Sequence, residues 1–166
     1  MWTEILAAFD DSPSQAKVIR FLLENGFGIT RDGRISVNDI PVPSTQIAKE
    51  VGVDRRVVDA TAQRILTMKQ FATIFLNMRA TPDISEIAEM LSLSVITIMP
   101  RDATEQGIIC AAVQVLDKHR IGIRQIFVTD PHLSESPKLV IITEDPIVPE
   151  VLQELKDLKQ VRHIIL

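Results

Sequence analysis

The chain has few of the residues that build disulfide-bonded or metal-bound domains. Its 166 residues include one cysteine, Cys110, and three scattered histidines, His119, His132 and His163. A single cysteine excludes an internal disulfide and a cysteine-based zinc site. None of the histidines stands at a metal-ligand spacing from another histidine or from Cys110. We therefore expect no metal ion and no other cofactor.

Long apolar runs and an excess of positive charge are also missing. No apolar run approaches the roughly 18 residues that a membrane-spanning helix requires, and the start, Met1-Trp2-Thr3-Glu4, lacks the basic segment of a signal peptide. The net charge of −4 argues against a protein that coats nucleic acid, although a local basic surface can still contact phosphates. We expect a cytoplasmic protein with no membrane partner.

Catalytic motifs are equally scarce. The sequence contains no P-loop, no nucleotide-binding glycine fingerprint and no nucleophile elbow. Cys110 stands among apolar residues of a predicted helix, a setting more typical of a buried filler than of a nucleophile. Asp10 and Asp11 precede a helix start and are better explained by it than by a metal site. We predict that the protein is not an enzyme.

What the sequence does contain is a regular series of helical patterns in its first half. Trp2 and Phe9 bound a short apolar helical pattern, and Ser12-Pro13 followed by Gln15 predicts a capped second helix that stops near Gly26. Residues 29–37 predict a small hairpin that turns at Asp32-Gly33. This hairpin precedes the motif described next, so we do not expect it to act as a wing.

Residues 44–66 carry the strongest local pattern. A helix with a small residue, Ala48, is followed by Gly52, which tolerates a left-handed turn, and by Asp54, which can cap a second helix. Close helix packing across a tight turn requires this arrangement. The segment IAKEVGVDRRVVDATAQRIL resembles the helix-turn-helix of many bacterial and archaeal regulators, and we assign residues 1–80 to a helix-turn-helix-containing domain.

The helix-turn-helix pattern predicts a set of DNA contacts. Residues 44–79 contain six basic and three acidic residues, a net charge of +3 in a chain of net −4. Arginine and glutamine can read base edges, while threonine and lysine hold phosphates. The alternative is a solvated face on a motif that only mediates dimerisation. The candidate DNA-binding residues are Thr45, Lys49, Arg55, Arg56, Asp59, Gln63 and Arg64.

The second half has a clear order of elements. Residues 67–80 are ambiguous between helix and strand, and residues 81–91 predict a helix, so that 81–92 forms a connecting segment. Residues 93–166 then predict strands near 93–99, 121–129, 138–143 and 161–166, with helices near 104–119 and 148–159. This βαββαβ order is typical of an α+β ferredoxin-like sandwich, in which both helices cover one face of an antiparallel sheet.

The strand patterns also bear on assembly. A sheet with one open face has strands that alternate apolar and polar residues, but Leu139-Val140-Ile141-Ile142 and Ile164-Ile165-Leu166 do not alternate. The second face should therefore be buried too, by another copy of the chain or by its N-terminal part. We predict a homodimer or a larger homo-oligomer.

The C-terminal segment, residues 93–166, resembles an ACT domain, the amino-acid-sensing module of many metabolic enzymes and regulators. The resemblance covers the element order, Gly107 before the first helix, Gly-Ile-Arg-Gln at 122–125, Asp130-Pro131 and Pro137-Lys138. With GVDRRVV at 52–58, the chain is similar to archaeal proteins described as predicted regulators of amino-acid metabolism with an ACT domain. The resemblance implies allosteric control of transcription by a bound amino acid.

A ligand site is predicted where the first helix of this domain begins, because free N–H groups there suit a carboxylate. The alternative is that Asp102 and Glu105 form a capping box and Arg124 pairs with an acid. The candidate ligand-binding residues are Asp102, Ala103, Thr104, Glu105, Gln106, Gly107, Arg124 and Gln125.

A second functional hypothesis is a regulatory subunit that docks on a metabolic enzyme and does not bind DNA.

Overall fold

The computed structural model describes residues 1–166 and confirms the α+β class. It contains seven α-helices and two antiparallel sheets, and the chain divides into two units, Met1–Pro82 and Asp83–Leu166. None of the helices combines the length and the apolar character needed to cross a membrane.

The first unit consists of five helices and a small sheet. The helices are α1 Trp2–Ala7, α2 Pro13–Asn25, α3 Ser44–Val51, α4 Arg55–Thr67 and α5 Lys69–Asn77. The strands β1 Gly28–Ile29, β2 Ile35–Val37 and β3 Ile40–Pro41 pair antiparallel in that order. Helix α4 packs against α2, α3 and α5, so it forms the centre of this unit. The ambiguous residues 67–80 are thus largely helical.

Three local predictions for this unit are confirmed and one is wrong. Pro13 is the first residue of α2, and Gly26 ends that helix in a left-handed conformation, with φ +66°. The capping box is wrong, because the Ser12 side chain makes no cap bond and Gln15 accepts a hydrogen bond from Arg64 instead. The hairpin turn is confirmed, with Gly33 at φ +77°.

The second unit holds the larger sheet. Two short 3-10 turns, Ser85–Ile87 and Glu89–Leu91, precede its strands β4 Ser94–Pro100, β5 Ile123–Val128, β6 Leu139–Thr143 and β7 Val161–Ile165. Helix α6 Ile108–Lys118 follows β4, and helix α7 Pro149–Lys156 follows β6. All neighbouring strands run antiparallel in the order β5-β6-β4-β7, so β6 and β4 are central and β5 and β7 are edges.

The helix expected over residues 81–91 is not present. An isolated helix of this length needs a buried apolar face, yet Ile87 and Leu91 remain 45% and 53% exposed. The segment instead bends along the sheet, where Ala88 is fully buried and the Ile84 N–H donates to Gln125 Oε1 at 3.3 Å. Residues 83–91 therefore belong to the second unit and do not form a separate connecting helix.

The core of this unit lies between the sheet and its two helices. Ile98 and Ile141, from the two central strands, pack with Leu116 of α6 and with Val151 and Leu155 of α7, and all five side chains are fully buried. Both helices therefore cover the same sheet face. The alternating positions of β4 and β6, including Ile142, point to the opposite face.

The opposite face is covered only in part. All five residues of β6 are buried, as its continuous apolar sequence indicated. Gln125 is the cross-strand neighbour of Ile142, and its bond to Ile84 places the 83–91 segment over this part of the face. The segment that covers this part of the face belongs to the same unit, whereas the sequence predicted cover by another copy of the chain or by its N-terminal part. At the end of β7, Ile165 and Leu166 are 53% and 71% exposed, so this end of the strand is not covered within the unit.

A charged contact joins α6 to α7. Lys118 Nζ donates to both carboxylate oxygens of Glu154, at 2.9 and 2.8 Å, and His119 Nε2 lies 2.9 Å from Glu154 Oε1. The hydrogen bonds from Lys118 and then from His119 hold the pKa of the Glu154 carboxyl below its usual range. The ionised form of Glu154 is therefore the one that stabilises the native state.

We expect Glu154→Gln to lower the free energy of unfolding at neutral pH, with a smaller effect in acid. Because the folded-state pKa is lowered, the stabilisation is present above the unfolded-state pKa and is lost as the pH falls through the folded-state pKa. Urea unfolding of both proteins between about pH 7 and about pH 3 measures this difference. Glu135→Gln, in an exposed loop, is the control; an equal Glu154 effect at every pH contradicts the assignment.

Candidate functional site

Local chemistry sets the turn between α3 and α4. Gly52 ends α3 at φ +71°, where its N–H donates to the Ala48 carbonyl, and no atom lies near the position of a Cβ. Asp54 then caps α4, because its Oδ1 accepts from the Arg56 N–H at 2.8 Å. Ala48 is buried where the two helices approach. The predicted turn and its cap are therefore confirmed.

One face of α4 is buried and the other is open to solvent. Val58, Thr61, Ala62 and Ile65 are buried, at the spacing of a single helical face. The candidate DNA-binding residues Thr45, Lys49, Arg55, Arg56, Asp59 and Gln63 are all exposed. The structure therefore brings six of the seven candidates to the surface of α3 and α4.

Arg64 is the exception, and its proposed contact with DNA is withdrawn. Its guanidinium donates four hydrogen bonds, one to each carboxylate oxygen of Asp11, one to Gln15 Oε1 and one to the Ala8 carbonyl. It also stacks over the Phe9 ring, 4.7 Å from the centroid. Arg64 therefore fastens α4 to the segment between α1 and α2.

Asp59 and Gln63 are exposed but engaged within the unit. Asp59 Oδ1 accepts a hydrogen bond from Ser44 Oγ, which joins the start of α3 to α4. Gln63 Nε2 donates to the Asp32 carbonyl at 3.4 Å. A Cβ on Gly33 would lie 2.1 Å from Gln63 Nε2, so the hairpin turn rests directly on this side chain.

Three cationic side chains among the candidate DNA-binding residues have no partner within the protein. Lys49, Arg55 and Arg56 are exposed, and none of their side chains takes part in a hydrogen bond or an ion pair. The two arginines are the first residues of α4, where the helix dipole adds positive potential. This end of α4, with Lys49 on α3, is the positive surface that can attract an anionic partner.

The second unit contains a cavity of about 550 Å³ beside the start of α6. Three of the predicted ligand residues, Ala103, Glu105 and Gly107, line it. Most of the remaining wall is apolar, and Lys138 supplies a cation. The lining residues that the sequence did not indicate are Pro100, Ile108, Ile109, Cys110, Val113, Val128, Thr129, Pro131, Pro137, Lys138 and Leu139.

The capping box expected for α6 is wrong. Helix α6 begins at Ile108 after Gly107, which adopts φ +88°. Asp102 closes its own short turn instead, because its Oδ1 accepts from the Thr104 N–H at 2.8 Å and from Thr104 Oγ1 at 2.6 Å. These two bonds hold the pKa of Asp102 below its usual range. The first N–H groups of α6 therefore have no capping side chain.

Three further assignments need correction. Arg124 lies 3.7 Å from Glu144 Oε1, and Gln125 bonds to Ile84, so neither lines the cavity. Both stand at the start of β5, whereas the cavity is at its other end, beside Val128. Cys110 is exposed and lines the cavity, so it is not a buried filler.

No protein-family model matches the chain, and no curated protein matches it at a significant level. The function is therefore inferred from the exposed charges of α3 and α4 and from the lining of the cavity.

We expect Arg64→Ala to lower the free energy of unfolding of the first unit by about 1–3 kcal/mol, because hydrogen bonds to a charged group are lost together with a ring contact. Arg55→Ala is the matched control, and its effect should stay within about 0.5 kcal/mol, as is usual at exposed positions. Denaturant unfolding measures both. Equal effects of the two variants would contradict the structural role of Arg64.

Proposed function

We propose that the protein is a transcriptional regulator that responds to an amino acid. In this proposal α3 and α4 form a helix-turn-helix that binds DNA, and the second unit is an ACT-like sensor. The observation that carries the proposal is the pair of arginines without a partner within the protein, Arg55 and Arg56, at the exposed start of α4. A helix-turn-helix reads DNA with the N-terminal residues of its second helix, which is where these arginines stand.

The proposed DNA contacts divide by chemistry. Arg55 and Arg56 have the length and the planar donor groups to bind guanine edges or phosphates in the major groove. Thr45 and Lys49, exposed on α3, suit phosphates that flank the groove. Asp59 and Gln63 are assigned no primary base contact here, since both bond within the unit.

The strand order supports an ACT-like assignment of the second unit. When its four strands are numbered by their order in the chain, they stand across the sheet in the order second, third, first, fourth, and both helices cover one face. Right-handed crossovers of a split βαβ pattern give this ferredoxin-like arrangement.

The cavity beside α6 supports an amino acid with an apolar side chain as effector. Its volume falls within the roughly 300–1,000 Å³ typical of small-molecule sites. The uncapped N–H groups of α6 and the Lys138 ammonium suit the ligand carboxylate, and the Glu105 carboxylate suits its ammonium group. The ligand side chain would pack against Val113 and Val128.

A homodimer completes the proposed regulator. Ile165 on the edge strand β7 and Leu166 directly after it are exposed apolar side chains, and their exposure favours burial against a second copy. A dimer would carry two α4 helices, whose spacing selects a two-part DNA site. An effector would change DNA affinity only if it binds one dimer arrangement more tightly than another.

The proposal predicts DNA binding that weakens steeply with salt. Fluorescence anisotropy with duplex DNA of mixed sequence at about 50 and about 200 mM salt measures the affinity and its salt slope. The double variant Arg55→Ala, Arg56→Ala should bind more weakly and show a slope smaller by about 1–2, because up to two phosphate contacts are lost.

The matched control is Lys156→Ala with Arg162→Ala, which removes the same charge from exposed positions of the second unit. This control should leave the affinity nearly unchanged. Absence of binding at low salt would overturn the DNA-binding proposal. It would favour the regulatory subunit of a metabolic enzyme, which the exposed apolar side chains Ile87, Met90 and Leu91 support as a docking surface.

The sensing half predicts a ligand-dependent shift in thermal unfolding. A ligand that binds only the native state raises its stability, so leucine-like or other apolar amino acids should raise the Tm more than charged ones. Val128→Glu, which places a carboxylate in the cavity wall, should abolish the shift. Ile126→Glu, on the same strand but outside the lining, is the control. If none of the twenty amino acids shifts the wild-type transition, the sensing proposal fails.

A further inference from the structure

The hairpin turn between β1 and β2 lies against the exposed face of α4. The Asp32 carbonyl accepts a hydrogen bond from Gln63 Nε2, and Gly33 is in such close contact with this amide that a Cβ there would displace it. Gln63 follows Arg56 by seven residues, or two helical turns, on the same side of the helix. The turn and the arginines therefore share one surface.

The turn is held in a single shape by its own hydrogen bonds. The Thr30 N–H donates to the Arg34 carbonyl at 2.8 Å, the Arg34 N–H donates to Thr30 Oγ1 at 3.1 Å, and the Gly33 N–H donates to the Thr30 carbonyl at 3.0 Å. With Gln63 bound to its outer carbonyl, the turn is fixed relative to α4. A fixed turn positions the side chain at its tip with little loss of entropy on binding.

The charge of this turn resides on Arg31. Arg34 Nε binds Asp32 Oδ2 at 2.7 Å, so these two charges offset each other. Arg31 is exposed, and its side chain takes part in no hydrogen bond or ion pair. The turn thus presents one uncompensated cation beside the exposed face of α4.

The spacing suits a DNA backbone. Two helical turns separate Gln63 from Arg56 by about 10 Å along the α4 axis, close to the roughly 12 Å width of the major groove. We propose that the turn of residues 30–34 is a second DNA-contacting element, in which Arg31 binds a backbone phosphate flanking the groove that the start of α4 enters. This inference rests on the proposed DNA-binding function and extends its surface beyond α3 and α4. It replaces the expectation from the sequence that the hairpin does not act as a wing, because the contact with Gln63 places the turn beside α4 although it precedes the motif in the chain.

A phosphate contact and a purely structural role make different predictions. If the turn only supports α4 through Gly33 and Gln63, removing the Arg31 charge changes neither DNA affinity nor its salt dependence. If Arg31 binds phosphate, its loss weakens binding to all sequences alike, because phosphates carry no sequence information.

Arg31→Ala tests the proposal in the full-length protein. Anisotropy titrations with two unrelated duplexes across several salt concentrations should show an affinity loss of about five- to tenfold at about 0.1 M salt and a slope smaller by about 0.9. Arg31→Glu should weaken binding further, because it repels the phosphate. Arg162→Ala, an exposed arginine of the second unit, is the single-charge control, and denaturant unfolding should show that both Arg31 variants fold like the wild type.

The outcomes separate this inference from the function it rests on. Weaker binding and a smaller slope for Arg31→Ala support it. Unchanged binding by Arg31→Ala, with weakened binding by the Arg55 and Arg56 double variant, overturns the role of the turn and leaves the DNA-binding proposal intact. A wild-type protein that does not bind DNA at low salt overturns both.

Discussion

The fixed orientation of α4 about its own axis is the constraint on which the exposed surface of the N-terminal unit depends. One face of the helix is buried in the core through Val58, Ala62 and Ile65. The hydrogen bonds of Arg64 to Asp11, Gln15 and Ala8 hold the helix in this orientation. The opposite face must then be exposed, and it starts with Arg55 and Arg56. Because these contacts anchor α4, the positions of the two arginines are determined by contacts that they do not make themselves.

The C-terminal unit depends on a different constraint, a central strand that is buried on both sides. Leu139 and Ile141 of β6 face the helices, while Val140 and Ile142 face away from them and are just as inaccessible. The unit must therefore supply a second layer, and residues 83–91 provide part of it. On the helical side, α6 starts late, at Ile108, so the end of the sheet beside Val128 is not filled by the helix. That gap is the cavity in which we place the effector.

Some local signals could be predicted from the sequence, whereas the two capping boxes and the contacts between distant side chains could not. Gly52 and Asp54 specify the turn before α4 through their own backbone and side-chain preferences, so this turn was predictable. Arg64 was misassigned because its acceptor Asp11 lies 53 residues earlier in the chain. Arg124 was misassigned because the register of β5, with its irregularity after Ile123, decides which end of the strand meets the cavity.

Our central claim is that the start of α4 and the adjoining hairpin turn form one DNA-binding surface. Backbone NMR of the isotope-labelled protein, titrated with a short duplex at low salt, tests it most directly. The account predicts that amide shifts concentrate at the start of α4, on exposed α3 and in residues 30–34, with little change in α1 and α2. Shifts that are absent, or that concentrate in the sheet of the second unit, would contradict it.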